Sequence, residues 1–238
     1  HHPVSAGVAM EYDQPWEKGD KGSTSLFTTV FQDAGIYRMY YRGHLTNVCY
    51  AESVDGINWV KPNLGMIEVG DTDQNNIILG ISYSAAFCPF LDTSPGAVDA
   101  QKYKANIEKD SFARDPLKKG LNFYSSGDGK KFTKFGDAPA IPWIMPNHFD
   151  SQNVIFWSEI ESQYVMYARY MVGDDGKIID TNEYLNLLQN NLPSGEEYIR
   201  SIARATSSDF ENWSEFTLME FSDTNSITPS AQLYTNQT

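Results

Sequence analysis

The sequence predicts an all-β chain built from repeated four-stranded antiparallel units, and three observations carry that prediction. A turn motif, S-x-D-G/F-x-x-W/F, occurs three times, as Ser53-Val54-Asp55-Gly56-Ile57-Asn58-Trp59, Ser126-Gly127-Asp128-Gly129-Lys130-Lys131-Phe132 and Ser207-Ser208-Asp209-Phe210-Glu211-Asn212-Trp213. A second motif, Y-x-M-Y-x-R, stands before the first and third copies at Tyr37–Arg42 and Tyr164–Arg169, with Tyr103-Lys104-Ala105-Asn106-Ile107 as its weaker counterpart between them. The periodic segments are rich in Tyr, Val, Ile, Phe and Thr and are punctuated by Gly and Pro, which favours strands over helices. Repetition at 73 and 81 residues, with four strand segments per repeat, points to blades of a β-propeller with loop insertions.

Each unit can be read in order. An inner strand comes first, in Ser25 to Phe31, Ala85 to Phe90 and Asn153 to Trp157; the tyrosine motif supplies the second strand. The third strand is the apolar run before each turn, Val48-Cys49-Tyr50-Ala51, Leu121-Asn122-Phe123-Tyr124 and Ile202-Ala203-Arg204-Ala205. In the turn, Asp bonds its own backbone, Gly accepts positive φ, and the closing aromatic leads back into the core as the fourth strand. Trp59, Phe132 and Trp213 are therefore expected at equivalent positions between neighbouring sheets. The units run over about 11–64, 75–136 and 148–216 of a single partial propeller domain spanning 1–238, with residues 230–238 as the start of a further unit. The third unit is longer: 38 residues separate Arg169 from Ser207, against 11 from Arg42 to Ser53. Within that insertion Tyr184, Leu185, Leu188 and Leu192 fall at helical spacing, between a Thr181 cap and a Pro193/Gly195 stop.

Blade topology sorts residues by face. The inner strand runs beside the axis, so its starting end shares a face, the mouth, with the loop from second to third strand; the S-x-D turns lie on the opposite, turn face. Asp55, Asp128 and Asp209 are expected to be structural, and Asp92, which follows its inner strand, belongs with them. Arg42 and Arg169 leave second strands at the mouth, and the insertion of unit three borders it. Channel mouths favour ligand sites. Asn147-His148-Phe149-Asp150-Ser151-Gln152-Asn153 enters the third inner strand there and brings a carboxylate to the axis. Two readings of Asp150 stand: a functional carboxylate, or a turn cap with Gln152 and Asn153 satisfying loop backbone. Glu11-Tyr12-Asp13-Gln14-Pro15-Trp16-Glu17 approaches the axis in unit one, with two acids and an aromatic suited to stacking on a sugar, or forms an edge loop with surface acids.

Composition narrows the partners. With 31 acidic against 18 basic residues the net charge is −13, which repels nucleic acid and anionic lipid alike. No apolar run approaches the roughly 18 residues of a membrane span. Cys49 and Cys88 are too few for a disulfide framework and lack C-x-x-C spacing, and read as buried strand residues. The sequons Asn212-Trp213-Ser214 and Asn236-Gln237-Thr238 are compatible with export, so a secreted or periplasmic location is expected.

The segments Asp13 to Glu17, Tyr37 to Gly43, Ala51 to Trp59, Asn75-Asn76-Ile77 and Phe149 to Asn153 resemble bacterial proteins of the five-bladed β-propeller glycoside hydrolase superfamily, which includes families 32, 43, 62, 68 and 117. The resemblance spans most of the chain, implies about three of five blades here, and implies acidic residues from inner strands around the axis, a place that Asp150 fits. The W-x-N-D-P-N-G motif of family 32 is absent, and Arg114-Asp115-Pro116, which looks like that family's R-D-P triplet, falls between second and third strands. The resulting expectation is a glycosidase acting on a carbohydrate substrate, needing one protonated acid and one ionised carboxylate. Asp150 is the candidate base, nucleophile or stabiliser and Asp13 and Glu17 are second carboxylates. Arg42, Arg169, His148, Gln152, Asn153 and Trp16 hold the sugar, with the arginine pair suited to an anionic group or else paired to nearby acids. No cofactor or metal is required; an axial calcium has no support in the sequence. The rival expectation is a noncatalytic carbohydrate-binding or scaffold propeller.

Overall fold

The computed structural model describes residues 4, 7–18, 27–43, 47–80, 86–109, 120–137, 139–142, 149, 152–172 and 199–219. These form three antiparallel sheets. The first holds β1 (Thr29–Asp33), β2 (Ile36–Arg42), β3 (Asn47–Ser53) and β4 (Ile77–Gly80) in that order. The second holds β5 (Cys88–Leu91), β6 (Tyr103–Lys109), β7 (Gly120–Ser126) and β8 (Thr133–Lys134), with β9 (Ile141–Pro142) also on β7. The third holds β10 (Val154–Ser158), β11 (Gln163–Val172), β12 (Ile199–Ser207) and β13 (Thr217–Leu218). Every sheet is a meander of neighbouring strands, and β5 lies beside both β1 and β10, so the inner strands adjoin one another. Among the described residues helix is confined to two single 3₁₀ turns, Pro15–Glu17 and Asp99–Gln101.

The units superpose residue by residue. The motif tyrosines pair with the turn serines in all three sheets, Tyr37 with Ser53, Tyr103 with Ser126 and Tyr164 with Ser207. Each turn repeats one hydrogen-bond set. The serine hydroxyl donates to the aspartate at 2.9, 2.8 and 3.0 Å and accepts the N–H of Gly56, Gly129 or Phe210 at 2.9 Å. The aspartate in turn accepts the N–H of Asn58, Lys131 or Asn212 at 2.8, 2.8 and 2.7 Å. Gly56, Gly129 and Phe210 all sit at positive φ, at 75°, 73° and 69°. The structural role expected for Asp55, Asp128 and Asp209 is what this geometry gives them.

Two cores fill the gaps between successive sheets. Tyr40, Val48, Tyr50, Ile78, Phe87, Ala105, Ile107 and Tyr124 join the first to the second; Phe90, Leu121, Phe123, Phe149, Ile155, Tyr164, Met166 and Phe210 join the second to the third. Covered on both faces, β3 and β7 are buried almost throughout rather than at alternate residues. Phe132 packs on the first core and Trp213 on the second, while Trp59 packs on the far flank of the first sheet. All three are half-buried, so each wedges a cleft rather than filling it. The first sheet reaches further than the repeat alone indicates: after the turn only Val60 bridges to Glu52, and the chain returns as β4, so residues 77–80 belong to unit one. The expected helix at 181–193, Arg114-Asp115-Pro116 and residues 230–238 lie outside the described residues.

Candidate functional site

The mouth is defined by the starting ends of β1, β5 and β10. There Gln152 donates through Nε2 to Thr29 Oγ1 at 2.6 Å, and Thr29 Oγ1 donates to Cys88 Sγ at 3.8 Å. One hydrogen-bond chain thus links the first residues of β1 and β5 with the segment just before β10. Burial pushes the Cys88 thiol up to about 11, so it stays a neutral packing group.

The segment before β10 is held by Asn153, which is fully buried. Its Nδ2 donates to Phe149 O at 2.9 Å and its Oδ1 accepts the Arg169 N–H at 3.2 Å, while the Phe149 N–H donates to Arg169 O at 3.3 Å. The β10–β11 pairing continues through these bonds past Val154 to Phe149. Asn106 then ties β6 to the same point, donating through Nδ2 to Asn153 O at 2.8 Å. Gln152 and Asn153 both lie at the mouth, where Asn153 is buried and satisfies loop backbone rather than facing a ligand. Asp150 and His148 lie outside the described residues.

Arg42 and Arg169 are buried at the mouth ends of β2 and β11. The Arg42 guanidinium stands 5.8 Å from the centre of the Phe27 ring. Extending the register of Tyr37, Tyr103 and Tyr164 by five residues places Arg42, Glu108 and Arg169 at equivalent positions. Glu108, 1% exposed, is a carboxylate that the Y-x-M-Y-x-R pattern does not reveal. The weaker repeat stops at Ile107; carrying the alignment one residue on exposes an acid where the other units hold arginine.

Asp13, Trp16 and Glu17 are placed elsewhere, in a strap across the flank of the first sheet away from the second. Glu17 is fully buried, where its Oε2 accepts from Lys61 Nζ at 2.7 Å and from the Gln14 N–H at 3.0 Å, and its Oε1 accepts the Tyr41 hydroxyl. Asp13 is exposed; hydrogen bonds first from Lys61, at 2.8 Å, and then from Gln14 pull its carboxyl down to about 2. Trp16 donates through Nε1 to Asn76 Oδ1 at 2.7 Å, and Asn76 Nδ2 donates to both the Tyr41 hydroxyl and Tyr50 O at 2.7 Å. Gly43 lets the strap close: an added Cβ would stand 2.6 Å from Cys49 Sγ and 3.3 Å from Trp16 O. The sequence shows the acids and the aromatic side by side but not Lys61, the cation that fastens them.

The turn face carries a second repeated device. Asp33, at the end of β1, accepts the Tyr103 hydroxyl, and Asp92, just past β5, accepts the Tyr164 hydroxyl at 2.8 Å. Each carboxylate thereby clasps the tyrosine of the next sheet, with Lys102 at 3.1 Å from Asp33 and Lys104 at 2.6 Å from Asp92. Burial alone would raise the Asp92 carboxyl, but Lys104, the Ser94 N–H and Tyr164 outweigh it and hold the group below the usual range. Asp92 is therefore on the turn face, as its position after the inner strand implies.

Side-by-side antiparallel four-stranded sheets with inner strands about one axis define a β-propeller. No family model and no curated protein matches the chain. Solved structures of low identity do. A thermostable family 43 glycoside hydrolase is 12% identical, with a TM-score of 0.47, over 83% of this chain and 54% of its own. A family 117 glycoside hydrolase of the marine bacterium Zobellia galactanivorans is 10% identical, with a TM-score of 0.48, over 83% and 56%. An N-acetylgalactosamine deacetylase from F. plautii, solved with blood group B trisaccharide, is 12% identical, with a TM-score of 0.47, over 88% and 56%. The chain spans little more than half the length of these proteins.

Proposed function

We propose that this chain is part of a secreted or periplasmic glycoside hydrolase that cleaves an oligosaccharide or polysaccharide at the propeller mouth, with Asp150 as the ionised carboxylate. The observation that carries the reading is the double anchoring of the segment around Asp150. Phe149 is tied to Arg169 and Asn153 on one side, and Gln152 to Thr29 on the other. That tie supports a carboxylate at the start of an inner strand, next to a point where all three described blades are bridged at the mouth. Gln152, Arg42 and Arg169 supply the hydrogen-bonding groups that a polyhydroxylated substrate requires, and the chemistry needs two carboxyl groups and water but no cofactor.

Asp150→Asn preserves shape and removes charge. With folding intact by circular dichroism, turnover of an oligosaccharide identified by product analysis is expected to fall about 100-fold or more, the scale of losing a general base or nucleophile. Undiminished turnover in that variant assigns Asp150 to turn capping. A wild-type chain that binds oligosaccharide and releases no reducing ends is a binding propeller.

A further inference from the structure

We infer that Glu108 is the proton-donating carboxyl of the same site, facing the cleft between the second and third blades; this rests on the glycosidase reading above. Side chains alternate along β6. Ala105 and Ile107 enter the core shared with the first blade, so Lys104, Asn106 and Glu108 face the third. Both lower members of that row cross the cleft as the alternation demands. Lys104 reaches Tyr164 Oη at 2.8 Å on the turn side, and Asn106 reaches Asn153 O at 2.8 Å at the start of β10. Glu108 lies two residues further toward the mouth, about 7 Å beyond Asn106 at strand spacing. Its cross-strand partner Leu121 belongs to the core that contains Phe149. Three placements therefore agree that the Glu108 carboxyl is level with the segment leading into β10.

A second observation points to a ligand in this cleft. Asn106 is fully buried, yet its Oδ1 has no hydrogen-bond partner among the described residues. A buried acceptor without a donor costs stability, and a sugar hydroxyl brought against it is a donor that relieves the cost. In the cleft between the first and second blades Tyr40 occupies the position of Asn106 and spends its hydroxyl on Gly129 O at 2.8 Å.

In the reaction the bond between the anomeric carbon and the bridging oxygen breaks as that oxygen takes the proton of Glu108. Water supplies the new bond to the anomeric carbon, and the proton it loses restores the balance. A proton donor is needed in proportion to the basicity of the leaving group, and that dependence provides the test. Wild type, Glu108→Gln, Glu108→Ala and Asp150→Asn are compared on natural oligosaccharides and on 2,4-dinitrophenyl glycosides, whose leaving group departs without protonation. The expected result is a loss of about 100-fold or more on the oligosaccharides for both Glu108 variants, with dinitrophenyl glycoside turnover retained within about tenfold, and a loss on both substrates for Asp150→Asn. Retained turnover of the activated substrate also reports that the Glu108 variants are folded. Wild-type rates on oligosaccharides, or equal losses on both substrate classes, overturn the assignment of Glu108 while leaving the glycosidase reading standing. A wild type inactive on every glycoside removes that reading and this inference together.

Discussion

The two clefts between blades are built alike on the turn side and differently at the mouth. On the turn side each has an aspartate clasping the next blade's tyrosine, a lysine beside it and a hydrogen-bonded S-x-D turn below. Toward the mouth the first cleft is filled by Tyr40, Ile107, Val48, Ile78 and Phe87 with Arg42 at its end, whereas the second holds Asn106, Asn153 and Glu108. Repetition therefore marks what the scaffold requires of every blade, and departure from repetition marks where one blade is free to do something else. A buried amide oxygen without a donor, where the twin cleft has the satisfied Tyr40 hydroxyl, is costly for folding, which is the reason to look for function there.

The largest effect expected from this contrast is on the apolar cleft. Phe87 is 1% exposed and meets Phe132 edge to face at 5.0 Å and Tyr124 at 6.3 Å. Phe87→Ala leaves a cavity between two blades and is expected to cost about 3–5 kcal/mol in a denaturant titration. A loss below about 1 kcal/mol, within the range of ordinary surface substitutions, would mean that the first cleft is not the rigid one.

An intermediate effect is expected at the clasp. Tyr164→Phe removes a hydroxyl that donates to Asp92, accepts from Lys104 and bonds Ser94 Oγ at 2.8 Å. The expected cost is about 1–3 kcal/mol at pH 7, as for other buried partners left unsatisfied. The Asp92 carboxyl is depressed in the folded state, so its contribution is complete above the unfolded carboxylate value of about 4 and is lost as pH falls through the folded value. Wild type and variant should therefore begin to converge in stability as pH falls below about 4 and meet only below the depressed folded value. A difference that is flat with pH would place the cost in packing rather than in the clasp.

The same contrast explains what could be read from the sequence. The turns were legible because left-handed backbone and a local acceptor restrict the residue types that fit, so three copies stay recognisable. The clasps were not, since the shared Phe-x-Asp of Phe31-Gln32-Asp33 and Phe90-Leu91-Asp92 is too short to stand out and their tyrosines lie 70 and 72 residues away. Glu108 was hidden for a related reason: with Ala105 and Asn106 in place of Met39 and Tyr40, the middle motif fades one residue before the acid. The strap illustrates the converse. Asp13, Trp16 and Glu17 form a cluster that reads as a sugar site, and only the fold brings Lys61 and Asn76 against them.

The smallest expected effect compares two glycines that the motif treats as the same residue. Gly56 and Gly129 share positive φ, so an alanine at either costs about 1 kcal/mol or a little more for the left-handed conformation alone. Their surroundings differ because Gly129 faces the first blade across a cleft. A Cβ on Gly56 would meet nothing nearer than the Tyr37 ring at 3.6 Å, an ordinary contact. One on Gly129 would stand 2.8 Å from the Tyr40 hydroxyl and 3.2 Å from Tyr103, so the Tyr40–Gly129 hydrogen bond would have to yield. Gly129→Ala should therefore exceed Gly56→Ala by about the net worth of one hydrogen bond, near 1 kcal/mol. Phe210 shows that the conformation itself can be tolerated: at φ 69° it offsets the strain by burying its ring against Phe123 and Tyr164. Equal losses at the two glycines by thermal denaturation would mean that the second blade's turn does not bear on the first, and that blades one and two are held by the Asp33–Tyr103 clasp and their apolar core.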